Sequence, residues 1–144
     1  MVDRQITQNI KQEFFQKKAI ILLGARQVGK TTLLKTLFKE EDRVLWLDAE
    51  NPDVHTIFQH ASATRLRTFF EDNKFVIIDE AQKIENIGSK LKLITDYMPE
   101  VQIIATGSSA FELRNKLNEP LTGRKFEHKL FPLSFKEMKN QIGL

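Results

Sequence analysis

Apolar and polar positions divide the chain into alternating helical and extended segments. Over residues 3–16, Ile6, Ile10 and Phe14 recur every four residues, the stripe of an amphipathic helix. A continuous apolar run, Ala19–Leu23, follows as a strand. A leucine-rich helical pattern (Leu33, Leu34, Leu37, Phe38) then extends from about Gly29 to Glu40. Arg43–Asp48 reads as a second buried strand, ended by the turn-forming Asn51-Pro52. Val54, Ile57, Phe58 and Ala61 mark a helix, and Leu66, Phe69 and Phe70 mark a further helical turn or two. Phe75–Glu80 is a third apolar strand that ends in two carboxylates. Ile84, Ile87, Leu91, Ile94 and Met98 fall at steps of three and four, the best helical face in the chain, and Pro99 closes it. Val101–Ala105 is a fourth strand, Phe111, Leu113 and Leu117 suggest a short helix, and Lys125–Phe131 a fifth strand stopped by Pro132.

Strands separated by helices, with continuous instead of alternating apolar runs, predict an α/β fold. Its parallel sheet is covered on both faces, giving three layers. Neither a repeat nor a low-complexity tract interrupts it. The last segment, residues 134–144, has the signature of a helix with Ser134 as N-cap and Glu137 completing a capping box. It has no apolar partner left in the sequence, so the expectation is a single core domain, residues 1–144, that forms the N-terminal portion of a longer polypeptide.

Composition narrows the function classes. The 144 residues carry 22 basic and 19 acidic side chains, a net charge of +3. A pI near 9.2 follows from that small excess and does not argue for nucleic-acid binding. The absence of cysteine excludes disulfides, thiol nucleophiles and thiolate-bound metals. No signal-like N-terminus and no apolar run of membrane-spanning length stand out, so a cytoplasmic location is expected. The 11 Phe, with one Trp and one Tyr, fall mostly on predicted core faces and do not interleave with Lys and Arg as a single-strand platform would.

The junction between the first strand and the second helix carries the most specific chemistry. Gly24, Gly29, Lys30 and Thr31 fall on the spacing G-x-x-x-x-G-K-[ST], the Walker A motif, in the strand–loop–helix context it requires. Glycines let the backbone curl around a polyphosphate so that N–H groups face anionic oxygens, and the helix start adds its unpaired N–H groups and dipole. The candidate nucleotide-binding residues are Gly24, Ala25, Arg26, Gln27, Val28, Gly29, Lys30, Thr31 and Thr32. Lys30 would reach the β- and γ-phosphates, and the Thr31 hydroxyl would ligate Mg2+. Arg26 would approach phosphate or face water.

In a parallel sheet, ligands gather beyond the carboxyl ends of the strands. The loop at 24–31, Asp48, Asp79-Glu80 and Thr106–Ser109 all fall at such ends. Asp79 matches the Walker B position, whose carboxylate holds Mg2+. Glu80 beside it would take a proton from, or orient, a water in line with the γ-phosphate, which leans toward hydrolysis over kinase chemistry. The competing reading is a helix N-cap at Asp79 with Glu80 in the first turn. Thr106 and Ser108 would sense the γ-phosphate or the attacking water, or form a Gly-Ser turn with Ser109 as N-cap. Arg124, in Leu121-Thr122-Gly123-Arg124, would stabilise charge on the phosphoryl group, from its own chain or a neighbour, or be solvated. Asp48 is expected to cap its strand end, with a lesser prospect of work near Mg2+. His55, His60 and His128 make no metal constellation and are expected at the surface.

As a set, Gly24–Leu33, Val76–Gln82, Thr106–Ser109, Leu121–Arg124 and Phe131-Pro132-Leu133-Ser134-Phe135-x-Glu137 are similar to the prokaryotic AAA-type ATPases of the AAA_14 group. In that group an N-terminal ATPase module is usually followed by a DUF4143 domain. The resemblance covers about residues 4 to 137. It implies an AAA+-like P-loop sheet of order 5-1-4-3-2, ATP with Mg2+, and a cytoplasmic location. It assigns Lys30 and Thr31 to phosphate and Mg2+, Asp79 to Mg2+, Glu80 to the catalytic base, Thr106 or Ser108 to the sensor, and Arg124 to the γ-phosphate. The helical lid and the C-terminal domain of such proteins are absent from these 144 residues. The expected function is ATP hydrolysis used as a conformational switch on the missing C-terminal domain. The alternatives are a nucleotide-dependent docking module for protein or DNA, which does not hydrolyse, and a P-loop kinase for a small molecule.

Overall fold

The computed structural model describes residues 4–25, 29–108 and 110–130. Five strands, β1 (Ala19–Leu23), β2 (Val44–Asp48), β3 (Phe75–Asp79), β4 (Gln102–Gly107) and β5 (Lys125–Lys129), form one sheet in the order β2-β3-β4-β1-β5. All four strand pairings are parallel. This is the expected order 5-1-4-3-2, read from the other edge.

Alternate residues of each strand feed two separate cores, which explains the continuous apolar runs. Ala19, Ile21 and Leu23 of β1 face a core completed by α3 (Pro52–Gln59), α4 (Ala63–Phe70), α5 (Ile87–Tyr97) and α6 (Ala110–Leu117). Ile20 and Leu22 face the opposite core, completed by Ile10 of α1 (Arg4–Gln12) and by Leu33, Leu34 and Leu37 of α2 (Lys30–Leu37). The strands that are paired on both sides, β1, β3 and β4, are almost wholly buried, whereas the edge strands β2 and β5 are mostly half-exposed.

Element ends differ from the periodicity where capping or a turn intervenes. Asn51 and Pro52 begin α3 instead of merely closing β2. The Asn51 side chain accepts from Asp53 N at 2.9 Å, and Pro52 occupies the first turn, where its missing N–H costs nothing. The long apolar face starting at Ile84 is split: a 3₁₀ turn (Ala81–Lys83) precedes α5, and Asn86 with φ 55° stands between them. Ile84 is still buried, so the core pattern survives although the helix starts later. The first helix stops at Gln12, and Phe15 and Lys17 both adopt φ 60°. Buried Gln102 holds that turn. Its Oε1 accepts from Phe15 N at 2.6 Å and its Nε2 donates to Lys18 O at 2.9 Å. β5 ends at Lys129, although Leu130 N still donates to Leu23 O at 2.7 Å. The capping box at Ser134 and Glu137 and the Ser109 cap lie outside the described residues. Among the described residues no helix is long and apolar enough to cross a membrane.

Candidate functional site

At the carboxyl end of β1 the chain leaves the sheet at Gly24, whose N–H donates to Gly107 O at the end of β4 (3.1 Å). It re-enters regular structure at Gly29, with φ 89°. That left-handed conformation is strained for any side chain, so Gly is required there. Lys30, the first residue of α2, is buried, and its Nζ turns back to donate to Gly24 O at 2.7 Å. One ammonium thus ties together the two ends of the loop. Thr31 and Thr32 follow on the exposed side of the helix start. Arg26, Gln27 and Val28 lie outside the described residues; Ala25 is exposed.

β3 delivers both carboxylates to the same edge. Asp79 is its last residue and half-exposed. Its Oδ1 accepts from the Thr106 hydroxyl at 2.5 Å, and the same hydroxyl oxygen accepts from Glu80 N at 3.2 Å. Thr106 is fully buried and spends its hydroxyl on holding Asp79 and the Glu80 backbone. Asp79 therefore ends a strand and caps no helix, and Glu80 stands before the 3₁₀ turn without a side-chain cap bond.

Glu80 is buried and adopts φ 57°, uncommon for a residue with a side chain. Its Oε1 lies 3.8 Å from Lys30 Nζ. Its Oε2 accepts from Ser108 Oγ at 2.6 Å and from Gln82 Nε2 at 2.7 Å, with Ser108 N at 3.4 Å. Burial alone would raise the carboxyl pKa. The donors Ser108 and Gln82, with the Lys30 charge, more than offset it and hold Glu80 below its ordinary value. Gln82 closes the family-like stretch Val76–Gln82 but drew no role there; the available signal was a polar residue two positions after the paired acids, at the foot of an apolar helix face.

Lys30, Thr31, Asp79, Glu80, Thr106 and Ser108 are thus gathered at one sheet edge. Arg124 is not among them. Its carbonyl accepts from Ala19 N at the start of β1 (2.9 Å), so it lies at the amino edge of the sheet. Roughly 16 Å of strand separates it from its own loop, and its Nε donates to Asp96 Oδ1 at 2.8 Å. An own-chain contact from Arg124 to a phosphate in this loop is ruled out by that placement. Asp48 caps its strand end, its Oδ1 accepting from Glu50 N at 3.0 Å. The histidines depart in part from the surface expectation. His60 is exposed, but His55 packs 2.5 Å from Ala49 O, and His128 pairs at 2.7 Å with Glu13, the residue that follows α1.

Among the described residues no three His, Cys, Asp or Glu side chains cluster to form a metal cage. One carboxylate and one exposed hydroxyl at the same sheet edge are instead a donor set for a hard cation that brings most of its oxygen ligands with it, on phosphate and water, as Mg2+ does. Asp79 and Thr31 could hold such an ion, and Lys30 a phosphate.

A five-stranded parallel sheet of this order, with a lysine-closed loop at the end of β1, defines an AAA-type P-loop ATPase module that binds nucleotide. Residues 16–139 match the AAA domain family AAA_14, and the chain belongs to that family. It is 31% identical over 134 residues to an uncharacterised protein of Methanocaldococcus jannaschii, covering 85% of this chain and 28% of that protein. An uncharacterised protein of Mycobacterium tuberculosis is 29% identical over 127 residues, which cover 84% of this chain and 26% of the relative. The chain thus spans little more than a quarter of the curated relatives it matches. Among solved structures, a Walker-type ATPase of Pyrococcus abyssi superposes with a TM-score of 0.66 at 19% identity, covering 100% of this chain and 59% of that one. A DNA replication initiation factor gives 0.58 at 16% identity, covering 96% and 48%. At such identities these two likenesses concern the fold alone.

Proposed function

We propose that the module binds ATP with Mg2+ and hydrolyses it within a longer polypeptide, where nucleotide state moves an appended domain. In this reading Lys30 holds the β- and γ-phosphates, and Thr31 and Asp79 hold the cation, which neutralises charge developing on the transferred phosphoryl group. Thr106 keeps Asp79 in place by taking up one of its oxygens. Glu80 orients the attacking water and accepts its proton. A carboxylate held below its ordinary pKa is ionised at neutral pH, as a general base must be, and with Ser108 and Gln82 both on Oε2 its Oε1 is the oxygen left to meet water. Family membership and the placement of all these groups at one sheet edge support a nucleotide-driven module.

The observation that carries the proposal is Glu80, buried between Lys30 and Ser108 and next to Asp79. P-loop kinases transfer phosphate to a hydroxyl without needing this paired acid, so its presence favours water as the acceptor. Any role for Arg124 at a phosphate requires the loop of a neighbouring copy, which would make turnover depend on protein concentration. The test is phosphate release by the full-length protein without added acceptor. Glu80→Gln should keep ATP binding within about threefold while kcat falls 10²-fold or more, the size of a lost general base. Turnover at the parent rate in Glu80→Gln would remove Glu80 from the mechanism. Stoichiometric binding with no phosphate release in the parent would leave a docking module driven by occupancy alone.

A further inference from the structure

We infer that Gln82 is a positioning residue for Glu80, an inference that deepens the hydrolytic reading and rests on it. Gln82 is only 2% exposed, in the 3₁₀ turn that follows β3. Its Nε2 donates to Glu80 Oε2 at 2.7 Å, and its main-chain carbonyl accepts from Lys116 Nζ of α6 at 2.5 Å. Among the described residues, Gln82 Oε1 is the one buried side-chain oxygen or nitrogen without a hydrogen-bond partner.

An unpaired buried acceptor is costly, and a side chain present only for packing would not be expected to keep one. Rotating the amide by half a turn would bring Oε1 against the Glu80 carboxylate, oxygen facing oxygen. The amide therefore keeps its donor on Glu80 and leaves its acceptor unpaired. It faces the end of β4, 3.0 Å from where a Cβ on Gly107 would lie. The crowded wall there, with Leu113 beside it, fixes the amide plane. Gln82 and Ser108 thus converge on the same Glu80 oxygen from two different elements. They leave Oε1, the oxygen nearer Lys30, turned toward the loop.

The test substitutes Gln82→Met, which keeps the length and removes both polar atoms. Because Lys30, Thr31 and Asp79 are untouched, ATP–Mg2+ affinity should stay within about twofold. In the full-length protein kcat should fall roughly 10- to 100-fold with KM unchanged, the cost of a misplaced catalytic group. A purely structural side chain would lower the melting temperature and leave kcat, measured well below it, at the parent value. Should Gln82→Met fail to fold, Gln82→Asn keeps an amide one methylene short of Glu80 and should give the same loss of kcat at unchanged KM.

A folded Gln82→Met variant with parent kcat overturns the inference. If the parent hydrolyses ATP, Glu80→Gln does not, and Gln82→Met matches the parent rate, the positioning role falls and the ATPase reading stands. If Glu80→Gln retains parent turnover, Glu80 leaves the mechanism and the positioning role falls with it, while hydrolysis itself stands.

Discussion

The ammonium of Lys30 sits where a cation without anionic or carbonyl partners would be expensive to keep. It is buried, and the partners that offset its desolvation include Gly24 O and the more distant Glu80 carboxylate. These are the contacts a phosphate would compete for. Glu80 shows the same economy from the other sign, being held ionised against its own burial. Its folded-state pKa lies below its ordinary value of 4.5, so ionised Glu80 stabilises the fold above that pH and loses this contribution as pH falls through the folded value. Denaturation followed from pH 7 downward should therefore show parent stability declining more steeply below about 4.5 than that of Glu80→Gln. Parallel curves would mean that the donors around Glu80 do not favour its charged form.

At this scale the sequence was informative about residue type and silent about orientation. The spacing around Lys30 and the pair Asp79-Glu80 marked the site because few other patterns place those groups after buried strands. Thr106 and Ser108 were indistinguishable by pattern. The structure separates them by burial: Thr106 faces inward and locks Asp79, and Ser108 at the mouth bonds Glu80. Gln82 lies in the family-like stretch Val76–Gln82, yet pattern gave it no role, because its contact with Glu80 depends on a 3₁₀ turn that periodicity read as the approach to a helix.

Among the elements, the strands were legible because β1, β3 and β4 are apolar on both faces, and only a sheet covered on both sides demands that. Helix ends were not, since α2, α5 and α1 stop or start at turns set by Phe38, Asn86 and the Gln102 contacts, with no periodic signature. The close approach of α5 to the end of α6 was equally hidden. A Cβ on Gly88 would lie 2.3 Å from Pro120 Cγ and 2.5 Å from Lys116 O, the latter main chain that cannot step aside cheaply. Gly88→Ala should therefore destabilise the fold by about 1–3 kcal/mol, an overpacking cost. That outweighs the roughly 0.5–1 kcal/mol that Ala gains over Gly inside a helix. A melting temperature lowered by several degrees is expected; an unchanged or raised one would show that the α5–α6 contact is looser than drawn.

For the whole molecule, sheet order places Lys30, Thr31, Asp79, Glu80, Thr106 and Ser108 at the carboxyl edge and Arg124 at the amino edge. Proximity in a motif list carried no information about which edge a residue occupies; that followed only from Arg124 preceding β5 in a parallel strand. Any role for Arg124 at a phosphate would need the loop of a neighbouring copy. The central claim is narrower and needs no other part: the loop closed by Lys30 binds a nucleotide polyphosphate. Thermal unfolding of this chain, titrated with ATP and with ADP, with and without Mg2+, tests it most directly. The parent melting temperature should climb with nucleotide concentration, as binding to the folded state alone requires. Lys30→Ala should need at least tenfold more nucleotide for the same rise, the loss of a charge-assisted contact. A melting temperature indifferent to nucleotide, or an equal rise in Lys30→Ala, would contradict the account.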